Sequence, residues 1–99
     1  MKIKDLVDYI PNSRNTKVIV DNPNHGAAIL MAFDKGVEIP EHATNANVIV
    51  QLLEGTCEFT LKGEKNVLTE GDILVLAPED KHSLYAPERF KVLVTKINA

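Results

Sequence analysis

The sequence is poor in cysteine, in charge of one sign and in long hydrophobic runs. Its single thiol, Cys57, cannot form an intramolecular disulfide, so the fold has to be held by packing. A lone thiol also fits a reducing compartment. Eleven Lys and Arg are scattered singly among fourteen Asp and Glu, and the formal net charge is −3. With no basic stripe, neither nucleic acid nor an anionic membrane surface is an expected partner. The longest apolar stretches, such as Ala27–Phe33, are far too short to span a bilayer. The opening MKIKDLVDYI places acids among its residues and contains no apolar run of signal-peptide length. A cytoplasmic location is therefore expected. Low-complexity tracts, a long linker and a repeat of fixed period are also missing.

What is present fits one small folded unit. The chain has 99 residues, 44% hydrophobic and 25% charged, which argues against disorder. That length supports one core and not two, so residues 1–99 are expected to form a single domain. Ile3, Leu6, Val7 and Ile10 recur at helix-like spacing. Pro11 ends that pattern, because the residue before a proline disfavours helix. After Lys17 the pattern changes to short apolar runs: Val18–Val20, Ala27–Phe33, Val48–Leu53, Cys57–Leu61, Ile73–Ala77 and Phe90–Ile97. Turn residues separate them, including Asp34-Lys35-Gly36, Glu54-Gly55, Lys62-Gly63-Glu64 and Glu70-Gly71-Asp72. Short strands at such spacing predict an all-β sandwich or barrel over about residues 17–97, preceded by a short helical segment.

Two strands declare their faces. Over Ala46–Leu53 the even positions, Ala46, Val48, Val50 and Leu52, form the cleaner apolar set. Over Cys57–Lys62 the odd positions, Cys57, Phe59 and Leu61, do so. Side chains alternate across a strand, so both sets are predicted to face the core. Carrying the first phase backward puts Thr44 and His42 on the inner face, unless a bulge intervenes.

The middle of the chain resembles the cupin superfamily, whose domains are double-sheet jelly rolls. The family's first motif opens on a glycine, carries His-x-His and a glutamate, and closes on a glycine. Here Gly36, His42 and Gly55 (in VQLLEG) take those places. The second motif runs through Gly71-Asp72 and Ala77-Pro78-Glu79 to His82. The likeness covers Gly36 to about Ala86, and Phe90–Ile97 suits a closing strand. Gly55 and Gly71 are read as tight hairpin turns. The resemblance implies a cupin-type double-stranded β-helix, with His42 and His82 facing each other across its interior.

The departures bear on function. Thr44 stands in the slot of the second histidine, Val48 in that of the glutamate and Ala86 in that of the final asparagine. Of the residues that hold metal in metal-binding cupins, only His42 and His82 carry over. A divalent transition metal would need a third ligand, since catalytic sites use three or more. Cys57, expected to point inward, is one candidate, and a thiolate suits zinc or copper. His25, in Asn24-His25-Gly26, reads as a solvated loop residue, and Tyr85, opposite in parity to His82, as exterior.

The resemblance implies a small-molecule-binding barrel. Val48, Val50, Leu52, Phe59 and Leu84 would form apolar walls, and His42, Thr44 and His82 would supply polar groups. The alternative is a metal-dependent enzyme of the dioxygenase or isomerase kind, with an unidentified third ligand. Metal-free acid/base catalysis by a histidine ranks last, because neither the carboxylate nor the tyrosine that would accompany it can be located. A homodimer is expected from the same resemblance, with the apolar N-terminal segment crossing to the partner.

Overall fold

Burial follows the alternation closely. Ala46, Val48, Val50 and Leu52 are buried, as are Cys57 and Phe59. The structure, a computed structural model, describes residues 1–98. A single 3₁₀ turn, Ile3–Leu6, precedes eight strands. These are β1 (Arg14–Asn22), β2 (Gly26–Phe33), β3 (Glu38–His42), β4 (Ala46–Leu61), β5 (Glu64–Thr69), β6 (Ile73–Leu76), β7 (His82–Tyr85) and β8 (Phe90–Asn98).

Strand β4 organises the barrel. Its first half pairs with β6 and β8, and β8 continues through β2 to β1. Its second half pairs with β5 and β7, and β7 continues to β3. All these pairings are antiparallel. Two curled layers thus share one long strand, the jelly-roll arrangement that the cupin resemblance implies.

The corner between the layers lies at Glu54-Gly55. The sequence reading makes this dipeptide a hairpin turn, but β4 continues through it without a break. Opposite β8 the register passes from Leu52↔Val92 to Glu54↔Lys91, so Leu53 is an extra, unpaired residue. Such a bulge bends the strand and moves the next side chains to the other parity. That explains why even residues are buried before it and odd residues after it. Gly55 has φ +83, and a Cβ there would lie 1.9 Å from the Arg89 carbonyl oxygen. Only glycine allows β4 and β8 to approach this closely. Lys62-Gly63, with φ of 50 and 82, forms the primed two-residue turn from β4 to β5.

The main core lies between the layers and includes Phe33, Val48, Val50, Leu52, Phe59, Leu76 and Phe90. Phe33 and Phe90 stack with ring centroids 4.6 Å apart. A second cluster lies on the outside of β2 and β8. There Val7 packs with Leu30 and Ala32, and Leu6, Tyr9, Leu53 and Leu93 surround them. The uninterrupted apolar run of β2 now has a reason, because both of its faces are covered.

The N-terminal residues form this outer cover rather than an extended helix. Tyr9 donates its hydroxyl to Glu54 at 2.6 Å, and Lys91 Nζ donates to the Lys4 carbonyl at 2.6 Å. Burial, reinforced by the Glu54 carboxylate, pushes the Tyr9 phenol above its usual range. The segment therefore lies against its own barrel.

Candidate functional site

Between the two layers lies a partly open cavity of about 370 Å³. Apolar walls come from Val48 and Val50 of β4, Phe59 beyond the bulge, Leu76, Leu84, Val92 and Val94. His42, Thr44, His82 and Cys57 also line it. Each candidate residue from the sequence, His42, Thr44, Val48, Val50, Phe59 and His82, thus borders one space.

The histidines do not oppose each other across the interior, as expected; they are neighbours. His42 ends β3 and His82 begins β7, and the two are register partners. Their ring centroids are 4.2 Å apart, tilted by 58°. The register shifts between Ile39 and His42, so β3 is bulged just before the histidine. Residues 43–45 belong to no strand, and carrying the β4 phase back through them has no structural basis. His42 and Thr44 reach the cavity by a break between strands rather than by continuous alternation.

Backbone contacts set the tautomers. His82 Nδ1 lies 2.9 Å from the Asp80 carbonyl oxygen, and His42 Nδ1 lies 3.0 Å from that of Pro40. A carbonyl only accepts, so in the neutral rings each Nδ1 carries the hydrogen and each Nε2 keeps a lone pair. His82 also stacks on Phe59, at 5.6 Å between centroids and 7° between planes. Burial holds the His82 imidazole below its ordinary pKa; His42 and Lys96 act in the same direction, and the Asp80 contacts oppose it. His82 therefore presents a neutral acceptor at neutral pH.

Among the lining residues that sequence reasoning missed are the cavity's two cations, Lys96 and Arg14. Lys96 shares one parity of β8 with Phe90, Val92 and Val94. It is the register partner of Val48, the residue in the glutamate slot. Arg14, at the start of β1, pairs with Phe33, and only the fold brings it there.

The donor set does not fit a catalytic metal. Among the described residues no three His, Cys, Asp or Glu side chains are grouped to hold one. Cys57 is buried, and burial, aided by Glu58, pushes its thiol up to about 12. The free thiol is therefore protonated at neutral pH, and no carboxylate or third imidazole among the described residues is grouped with it and the histidines. Where the glutamate would add negative charge, there is valine with a lysine beside it.

The comparisons agree with the fold. The chain matches the family model for AraC-like ligand binding domains over residues 29–99. A conserved protein of unknown function from Streptococcus pyogenes superposes with a TM-score of 0.94 at 24% identity, covering 100% of this chain and 86% of that one. A cupin superfamily protein from Desulfitobacterium hafniense gives 0.95 at 18% identity, with 100% and 90% covered. An RmlC-like cupin from Shewanella frigidimarina gives 0.83 at 25% identity, with 93% and 82% covered. No curated protein matches the sequence. A bulged two-layer barrel, two motif histidines at its cavity and a family match over most of its length place this chain among the AraC-like ligand binding domains of the cupin superfamily.

Proposed function

We propose that the barrel is a binding pocket for a small organic molecule. The observation that carries this reading is the cavity itself, in which apolar walls meet a few convergent polar groups. Its volume of about 370 Å³ lies at the small end of ordinary ligand pockets. Val48, Val50 and Phe59 contact the ligand's apolar body, and His42, Thr44 and His82 fix its orientation. The ligand-binding description of the matched family supports the same reading. The donor set gives the metal-dependent alternative no support.

A neutral fluorescent probe, N-phenyl-1-naphthylamine, tests the reading. The wild-type protein should bind it saturably with enhanced emission. Val50→Trp fills the cavity and should weaken binding roughly tenfold or more, as expected when an occluding ring displaces the probe. Equal binding by the folded variant, or no binding by wild type, would contradict the pocket.

The same reading includes a homodimer. Strand β1 is a sheet edge, and Val18, Ile19 and Val20 on it are 55%, 46% and 56% exposed. An unpaired apolar edge is a template for another strand. Here the expected crossing segment changes from the first ten residues to β1, because the former cover their own barrel.

A further inference from the structure

We infer that the pocket selects a small molecule carrying a carboxylate on an apolar body, with Lys96 as its ionic anchor. This rests on the proposed binding role and adds the chemical class of the ligand.

The argument begins with parity. In β8 the buried Phe90 and Val92 are followed at two-residue spacing by Val94 and then Lys96, all four bordering the cavity. Lys96 is partly buried and sits between Ala27 of β2 and Val48 of β4 in register. Lys96 thus brings a charged side chain to a largely apolar wall, where a partly buried ammonium gains from an anionic partner. Among the described residues Lys96 enters no ion pair and no side-chain hydrogen bond, and Arg14 at the same cavity enters no ion pair. Lys4, Lys35, Lys62 and Lys65 have carboxylate partners and Lys91 a backbone carbonyl; Lys2, Lys17 and Lys81 have none among the described residues but do not border this cavity.

The other charges leave the position open. Glu41, exposed on β3, is the acidic residue bordering this cavity, and Asp21, exposed on β1, shares an adjoining hollow with Lys96 without forming an ion pair with it. Its carboxylate is not within ion-pair distance of Lys96 or Arg14. Lys96 acts on His82, and its charge helps hold that imidazole neutral. The cavity therefore offers Lys96 with no ion-pair partner, the exposed Arg14 at its border, two imidazole rings and extensive apolar wall. A carboxylate would satisfy Lys96 by a charge-assisted hydrogen bond, which is strong in a partly desolvated site. A hydroxyl or amide N–H elsewhere on the ligand could donate to a histidine Nε2. A neutral hydrocarbon would leave the ammonium unsatisfied, and a cation would be repelled.

The test is competition against the neutral probe by 1-naphthaleneacetate and by its neutral amide. The two share size and apolar body and differ in charge. The wild-type protein should prefer the carboxylate by roughly tenfold or more, the scale of a hydrogen bond to a charged partner. Lys96→Met should bring the ratio close to one while still binding the neutral probe. Lys96→Arg should keep the preference, and that arm decides if the Met variant fails to fold. Arg14→Met should reduce the preference less than Lys96→Met. Equal competition by acid and amide in wild type would overturn the inference, as would an unchanged preference in Lys96→Met. Either result with the neutral probe bound leaves the pocket standing. Loss of neutral-probe binding in wild type would instead remove the reading beneath it.

Discussion

His82 links burial to pH. Its folded pKa lies below the unfolded value, mainly because burial penalises the charged ring. Near and below the ordinary histidine pKa, the unfolded chain therefore binds more protons than the folded one. Its contribution is present in full above that pKa and is lost as pH falls through the depressed folded value. Thermal melts at pH 7.5 and 5.5 should show a lower midpoint at the acid end, with a smaller drop in His82→Asn. An equal drop in both proteins would contradict this. Cys57 offers a second check, since its buried thiol is pushed up to about 12. Ellman's reagent should leave the native protein unmodified for hours and titrate one thiol in denaturant. These residues were legible to different degrees. His42 and His82 stood out from their motif places, and Cys57 from its parity. The adjacency of the histidines was not legible, because it depends on the β3–β7 register. Lys96 shared the parity of three core residues, yet a charged residue near a strand end reads first as solvated.

Among the elements, β4 shows where local pattern suffices and where it fails. Alternation located both halves of this strand and their inward faces. It could not show that they are one strand, because a glycine after a glutamate looks the same in a hairpin turn and in a bulge. What separates the two is Phe90 and its neighbours packing on Gly55, a contact distant in sequence. Gly55→Ala should therefore cost far more than a turn glycine would. The added methyl meets the Arg89 carbonyl at 1.9 Å in a strand held at positive φ, and a loss of about 3–5 kcal/mol is expected. Gly63→Ala, with nothing within 4 Å of the added carbon, should cost only its φ strain, about 1 kcal/mol. Urea titration of both variants checks the contrast, and equal losses would contradict the bulge. Strands β3, β5 and β7 were missed at the sequence level. Glu38-Ile39-Pro40-Glu41-His42 and Glu64–Thr69 are rich in polar residues, and the four residues of β7 give too short a run for alternation to register.

At the scale of the whole molecule, the barrel has a covered flank and, at β1, an open apolar edge. The N-terminal segment seals the outside of β2 and β8, while β1 keeps its apolar residues exposed. Light scattering should give about twice the protomer mass of 10.9 kDa, and Ile19→Lys should shift the population toward monomer. A protomer mass for wild type at micromolar concentration would argue against pairing through this edge. The central claim, however, concerns the interior: the cavity between the layers receives a small molecule. The most direct measurement is a methyl NMR map of the wild-type protein titrated with N-phenyl-1-naphthylamine. The account predicts saturable shifts concentrated at Val48, Val50, Val92 and Val94, with the methyls of Val18 and Val20 scarcely moved. Shifts confined to β1, or none at all, would contradict it.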